Sequence, residues 1–126
     1  MAGQNWFGRQ LYRLLPSAAR TTHPVIPNIN VGNARGIKFY IDITAWSGTG
    51  IVFTVSHVDP ITSSSSATVL ASASKAATGA FTLTIMPGVG TVANVALNDV
   101  VPRTLKLVTS GTITSVTYSV AYELFD

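Results

Sequence analysis

The stretch that decides the fold is Ile37-Lys38-Phe39-Tyr40-Ile41-Asp42-Ile43-Thr44. An apolar side chain stands at every second position, and Lys, Tyr, Asp and Thr fill the positions between. Successive side chains of a β-strand point to opposite faces, so this alternation predicts a strand with one buried face and one wet face.

Shorter runs of the same kind follow along the chain, at residues 51–57, 79–85, 104–107 and 116–124. Gly, Pro, Asn and Ser separate them, and residues 46–50 and 110–111 predict turns. About six short strands separated by turn signals are typical of a sandwich or a small barrel. The sequence therefore predicts an all-β fold, an antiparallel β-sandwich of the jelly-roll or Ig-like kind, over residues 36–126.

Residues 1–35 follow a different pattern and predict an N-terminal arm. Phe7, Leu11, Leu14 and Leu15 have the spacing of one apolar helix face, and Pro16 ends it. This predicts a short amphipathic helix over about residues 4–15, followed by extended chain. A helix this short is marginal alone in water and needs a partner surface.

The composition indicates a protein whose surface is partly covered by other subunits. Only 10% of the 126 residues are charged and 47% are hydrophobic, whereas a soluble domain carries roughly 25% charged residues. A free monomer so poor in charge tends to associate. No cysteine is present, which excludes disulfides, thiolate nucleophiles and Cys-based zinc sites. No apolar run predicts a membrane span or a signal peptide, so we expect the protein to be made and used in the cytoplasm or in something assembled there.

No catalytic, cofactor-binding or metal-binding constellation emerges, and we expect no enzyme activity and no cofactor. His57 and Asp59 share one face of a strand, which makes a weak metal or acid–base site conceivable, although a polar strand end beside a turn explains both residues equally well. His23 has no acidic neighbour in sequence and is interpreted as a surface residue.

The basic charge lies in the arm, where Arg9, Arg13, Arg20 and Arg35 have no acidic residue among them. Such an arm could bind nucleic acid, lie on a membrane or dock into a protein groove. The modest density of arginine makes nucleic acid unlikely, and the apolar stripe favours a protein groove. The predicted partner-binding residues are Trp6, Phe7, Arg9, Leu11, Tyr12, Arg13, Leu14 and Leu15.

Parts of the chain resemble small all-β structural proteins of tailed bacteriophages. The stretches that carry the resemblance are 33–36, 42–45, 93–104 and 115–120, and the most distinctive is Asn98-Asp99-Val100-Val101-Pro102-Arg103-Thr104. The resemblance covers roughly residues 33–124 and leaves the arm outside it. It implies a virion protein, most simply a capsid cement or decoration protein without catalytic residues.

These lines of reasoning lead to one leading expectation and two alternatives. We expect a capsid cement protein that forms a homo-oligomer, such as a trimer, and whose arm docks on the major capsid protein. A tail or head–tail joining protein is the first alternative. A carbohydrate-binding module with Tyr40, Trp46 or Tyr122 as a stacking platform is the second.

Overall fold

The computed structural model describes residues 4–6, 9–59, 61–62 and 66–125, and this part of the chain is all-β. Its single sheet has eight strands. They are β1 (Gln4–Trp6), β2 (Arg9–Arg20), β3 (Val25–Asn30), β4 (Gly36–Val58), β5 (Ser66–Ala71), β6 (Gly79–Ile85), β7 (Ala96–Leu97) and β8 (Thr104–Phe125).

Two long antiparallel strands, β4 and β8, form the centre of the sheet. They stay paired from Gly36 opposite Phe125 to His57 opposite Leu105. The first half of β4 and the second half of β8 lie within the order β1-β2-β8-β4-β6-β7. At the other end of the same two strands, β3 pairs with β8 and β5 pairs with β4.

The long strands bend at glycines near their midpoints, where the register shifts on both sides of Gly48. Gly48 and Gly111 have φ values of 142° and 109°, which side chains of L-residues rarely adopt. A Cβ atom at Gly48 would lie 2.8 Å from the Cα of Ile113, and one at Gly111 would clash with the carbonyl oxygen of Gly50. The two strands therefore approach too closely here for any larger residue. The segments predicted as turns are bends within continuous strands.

The bend brings side chains from the two halves of the sheet into contact. Phe53 is paired with Thr109, and Tyr118 lies nine positions further along β8, which is about 30 Å in a straight strand. The rings of Phe53 and Tyr118 nevertheless pack edge to face at 5.1 Å between centroids. The core fills the space between the halves with apolar side chains, the largest of them Tyr118, Phe39, Phe53, Ile37, Ile41, Ile43, Ile51, Leu83, Ile85, Leu105 and Leu107.

The all-β prediction is confirmed, whereas the predicted helix over residues 4–15 is wrong. In the described part of that segment, β1 and β2 are antiparallel strands, and β2 pairs with β8 from Arg9 opposite Phe125 to Arg20 opposite Val116. Pairing with the edge of β8 satisfies the backbone groups of β2 within the sheet, whereas an isolated helix this short is only marginally stable in water. Pro16 is tolerated because β2 shifts register twice between Arg13 and Ala18.

The remaining part of the predicted arm is also built into the sheet. β3 supplies Ile29 to the core, and Val31 follows it there, with exposed fractions of 4% and 3%. The backbone N–H of Val31 donates to the carbonyl of Arg103 at 3.0 Å. Residues 25–31 therefore contribute to the stability of the body itself.

The register of β2 predicts which engineered cysteines can form a disulfide. Ala19 lies opposite Thr117, and directly opposed strand residues have the Cα spacing that a disulfide needs. We expect Ala19→Cys with Thr117→Cys to oxidise within one chain, seen as faster migration of unreduced protein on a denaturing gel. The pair Ala18→Cys with Thr117→Cys is the control, because adjacent strand residues point to opposite faces. Equal oxidation of both pairs would contradict this register.

Candidate functional site

The predicted partner-binding residues of β2 are divided between its two faces. Tyr12 points towards the core side, where its ring stacks on Tyr122 at 5.1 Å and an interplanar angle of 24°. Leu14 and Leu15 are half-buried and pack against the core. Leu11, 44% exposed, and Arg13 are turned towards solvent. Among the five predicted residues whose side chains the structure describes, Leu11 and Arg13 are therefore the two that can contact another molecule without a rearrangement of the sheet.

The other predicted partner-binding residues are described less fully. Trp6 is the last residue of β1 and Arg9 the first of β2, and they are paired across the connection between these strands. Phe7 lies outside the described residues.

Arg20, at the end of β2, makes structural contacts that the sequence pattern did not predict. Its guanidinium donates to the carbonyl oxygens of Tyr118 and Pro16, each at 2.6 Å, and to that of Ala18 at 3.1 Å. The same group lies 4.5 Å from the centroid of the Tyr118 ring. Hydrogen bonds from a charged donor are stronger than neutral ones. Arg20 therefore fastens β2 to the strand beside it.

His23 is also part of this attachment, although the sequence favoured a surface position. It is half-buried, and its Nε2 lies 2.8 Å from the carbonyl oxygen of Gly111, while Nδ1 lies 2.8 Å from the hydroxyl of Thr109. A carbonyl only accepts, so Nε2 carries the proton. In the neutral ring the Thr109 hydroxyl then donates to Nδ1. His23 thus links the connection between β2 and β3 to the bend in β8.

Tyr118 is buried beneath Arg20, and its hydroxyl has no hydrogen-bond partner among the described residues. Burial raises the pKa of Tyr118, and the charge of Arg20 offsets part of that rise. Burial likewise raises the pKa of Tyr122, and the electrostatic effect of the neighbouring Tyr12 raises it further.

Asp59 holds the turn that follows β4, and His57 lies near the end of that strand. The Asp59 carboxylate accepts from the backbone N–H of Ile61 at 2.9 Å and from the Thr62 hydroxyl at 2.7 Å. These two bonds hold the pKa of Asp59 below its usual value, and the bond from the backbone of Ile61 has the larger effect. His57 is exposed. Within the described residues, no three His, Asp or Glu side chains come together as metal ligands would.

A broad open groove crosses the outer face of the sheet, with a volume of about 960 Å³. Four strands build it. β2 contributes Arg13 and Pro16 to one wall, and β6 contributes Ala80 and Thr82 to the opposite wall. Between the walls, outward-facing positions of β8 and β4 supply Ser119, Ala121, Tyr40 and Asp42.

Comparison with known proteins finds no matching family, curated protein or solved structure. Among the described residues, no helix is long and apolar enough to cross a membrane.

The contacts of Arg20 predict a marked loss of stability when they are removed. Hydrogen bonds to a charged group contribute about 1.5–3 kcal/mol, so we expect Arg20→Ala to lower the free energy of unfolding by about 2 kcal/mol in denaturant titrations. Arg103→Ala removes the same charge from an exposed position, and such surface changes stay within about 0.5 kcal/mol. Equal effects of the two variants would contradict the role of Arg20.

Tyr118 predicts a loss of stability in alkaline solution. Its folded-state pKa lies above the usual 10.0, so its contribution is complete below pH 10.0 and is lost as the pH rises through the folded-state value. We expect the free energy of unfolding of Tyr118→Phe to fall less steeply with rising pH than that of the unchanged protein. Ionisation of Tyr122 should cause part of the slope that remains. At neutral pH the variant should keep its stability or gain up to about 1 kcal/mol, because an unpaired hydroxyl leaves the core. An unchanged alkaline slope in unfolding titrations would contradict this assignment.

Proposed function

We propose that this protein is a non-enzymatic structural component of a virion, a capsid cement protein that binds the major capsid protein. The observation that carries the proposal is the two-faced arrangement of β2. Its inner side chains join the body, while Leu11 and Arg13 are displayed to solvent on a strand held by Arg20. A contact surface held in place in this way loses little conformational entropy on docking.

The low charge and the resemblance to phage structural proteins support the same conclusion. The most distinctive stretch of the resemblance lies in the connection between β6 and β8, which displays Val92, Val95 and Val100 with exposed fractions of 53%, 43% and 73%. We assign this connection to contacts between copies in a small homo-oligomer such as a trimer. Many identical weak contacts on a repeating shell produce large avidity.

The finer fold assignment, a jelly-roll or Ig-like sandwich, is part of this proposal. Its support is the packing of Phe53 against Phe81 at 5.6 Å and against Tyr118 at 5.1 Å, which brings the two halves of the sheet face to face. Such a body offers two outer faces for neighbours in a lattice.

The number of copies in purified virions distinguishes the proposal from its nearest alternative, a tail or head–tail joining protein. Quantitative densitometry against the major shell protein should yield a ratio near one or a simple fraction of one. A ratio of a few per cent would move the protein to the tail or portal, and complete absence from virions would overturn the proposal.

Docking by β2 predicts the effect of a single outward substitution. Removing residues 1–32 is an unsuitable test, because it deletes Ile29 and Val31 from the core. Leu11→Ser changes only the displayed face, and we expect it to lower occupancy on shells stripped of this protein, measured by co-sedimentation. The matched control is Val25→Ser, at a residue 54% exposed on β3. Normal binding by Leu11→Ser would remove β2 from the contact.

A further inference from the structure

We propose that the groove on the outer face of the sheet is a binding site for a neutral oligosaccharide. Its volume of about 960 Å³ is at the upper end of ligand sites in proteins, which are mostly apolar with a few convergent polar groups. The inference goes beyond the capsid proposal and does not depend on it.

Tyr40 contributes an aromatic ring to the lining of the groove, and the ammonium of Lys38 lies 5.7 Å from the centroid of this ring. Tyr40 lies opposite Ala121 on one side and opposite Thr82 on the other. Its hydroxyl donates to the Glu123 carboxylate at 2.8 Å, diagonally across β8. The ring therefore leans over β8, where the small side chain of Ala121 leaves room for it. An aromatic ring fixed in this way can stack against the apolar face of a sugar ring.

Polar side chains of the kind that bind hydroxyl groups surround this ring. Asp42 is exposed and lies opposite Ser119, one row further along the sheet than Tyr40. Arg13 lies opposite Ala121, on the other side of β8 from Tyr40. With neighbouring strands about 4.8 Å apart, Arg13 and Tyr40 are separated by about 10 Å, a span suited to a short oligosaccharide. A carboxylate accepts and a guanidinium donates several hydrogen bonds in one plane, which suits vicinal hydroxyl groups.

The charges of the groove favour a neutral ligand. Among the lining residues Arg13 balances Asp42, and outside the lining Lys38 lies opposite Glu123. A site for phosphate or nucleic acid would instead carry an excess of positive charge. An extended peptide is disfavoured as well, because the backbone groups of this face are used within the sheet, and strand addition requires a free edge.

The geometry indicates binding without cleavage. Ser119, the partner of Asp42, is four residues from Glu123 on β8, which places the two acidic residues about 14 Å apart. Paired carboxyl groups that hydrolyse glycosides lie about 5–9.5 Å apart. Glu123 is, in addition, bonded to the Tyr40 hydroxyl.

The test uses the intact purified protein and tetrasaccharides of glucose, galactose, mannose and N-acetylglucosamine, with binding measured by saturation-transfer NMR and calorimetry. We expect at least one of the sugars to bind. Tyr40→Ala and Asp42→Asn should each weaken its affinity about tenfold, because each variant loses one stacking contact or one good hydrogen bond. Asp99→Asn is the matched control, because Asp99 is exposed away from the groove.

Each other result overturns the proposal. If none of the sugars binds at a concentration of about 10 mM, any affinity is too weak to be useful, and the site is rejected. Sugar binding that survives both groove substitutions would place it elsewhere. A peptide of residues 9–20 that binds the groove while the sugars do not would identify a contact between copies instead. None of these results depends on virions, so they leave the capsid proposal to its own test.

Discussion

The bend shared by β4 and β8 is the constraint on which the rest of the structure depends. Paired strands can fold back together only if both bend at the same level, and Gly48 and Gly111 satisfy that condition in φ and in the space they leave. Without the bend, Phe53 and Tyr118 would lie on distant parts of a flat sheet with one apolar face in water. With it, side chains from both halves of that face meet in one core.

The N-terminal strands depend on the same bend. β2 and β3 pair with different halves of β8, and only residues 21–24 connect them. So short a connection suffices because β8 turns between the two pairings. His23 is the residue that secures it, since its ring is bonded to Thr109 and Gly111 at the bend itself. Arg20 then holds the strand that precedes it.

The sequence was most informative where one strand's own pattern decides the outcome. The alternation at residues 37–43 identified Ile37, Phe39, Ile41 and Ile43 as inward, and all are buried. The conformation of Gly-rich segments was harder to predict, because a turn and a bend within a strand have the same local composition. Which of the two forms depends on whether the partner strand continues alongside. The arm has helical spacing, but the free edge of β8 is a tertiary feature that overrides it. The groove could not be predicted, because the register of four strands brings its residues together.

The interrupted edges of the sheet bear on the proposed assembly of this protein through its faces. An exposed, regular edge strand invites further strands and leads to aggregation. β2 is interrupted by Pro16 and by two register shifts, and β3 by Pro27 and by Asn28, which has a φ of 58°. Neither can template a long ladder with a neighbour. In the proposed assembly, contacts would therefore fall to exposed side chains such as Leu11 and Val100, and side-chain contacts select a particular partner where backbone pairing does not.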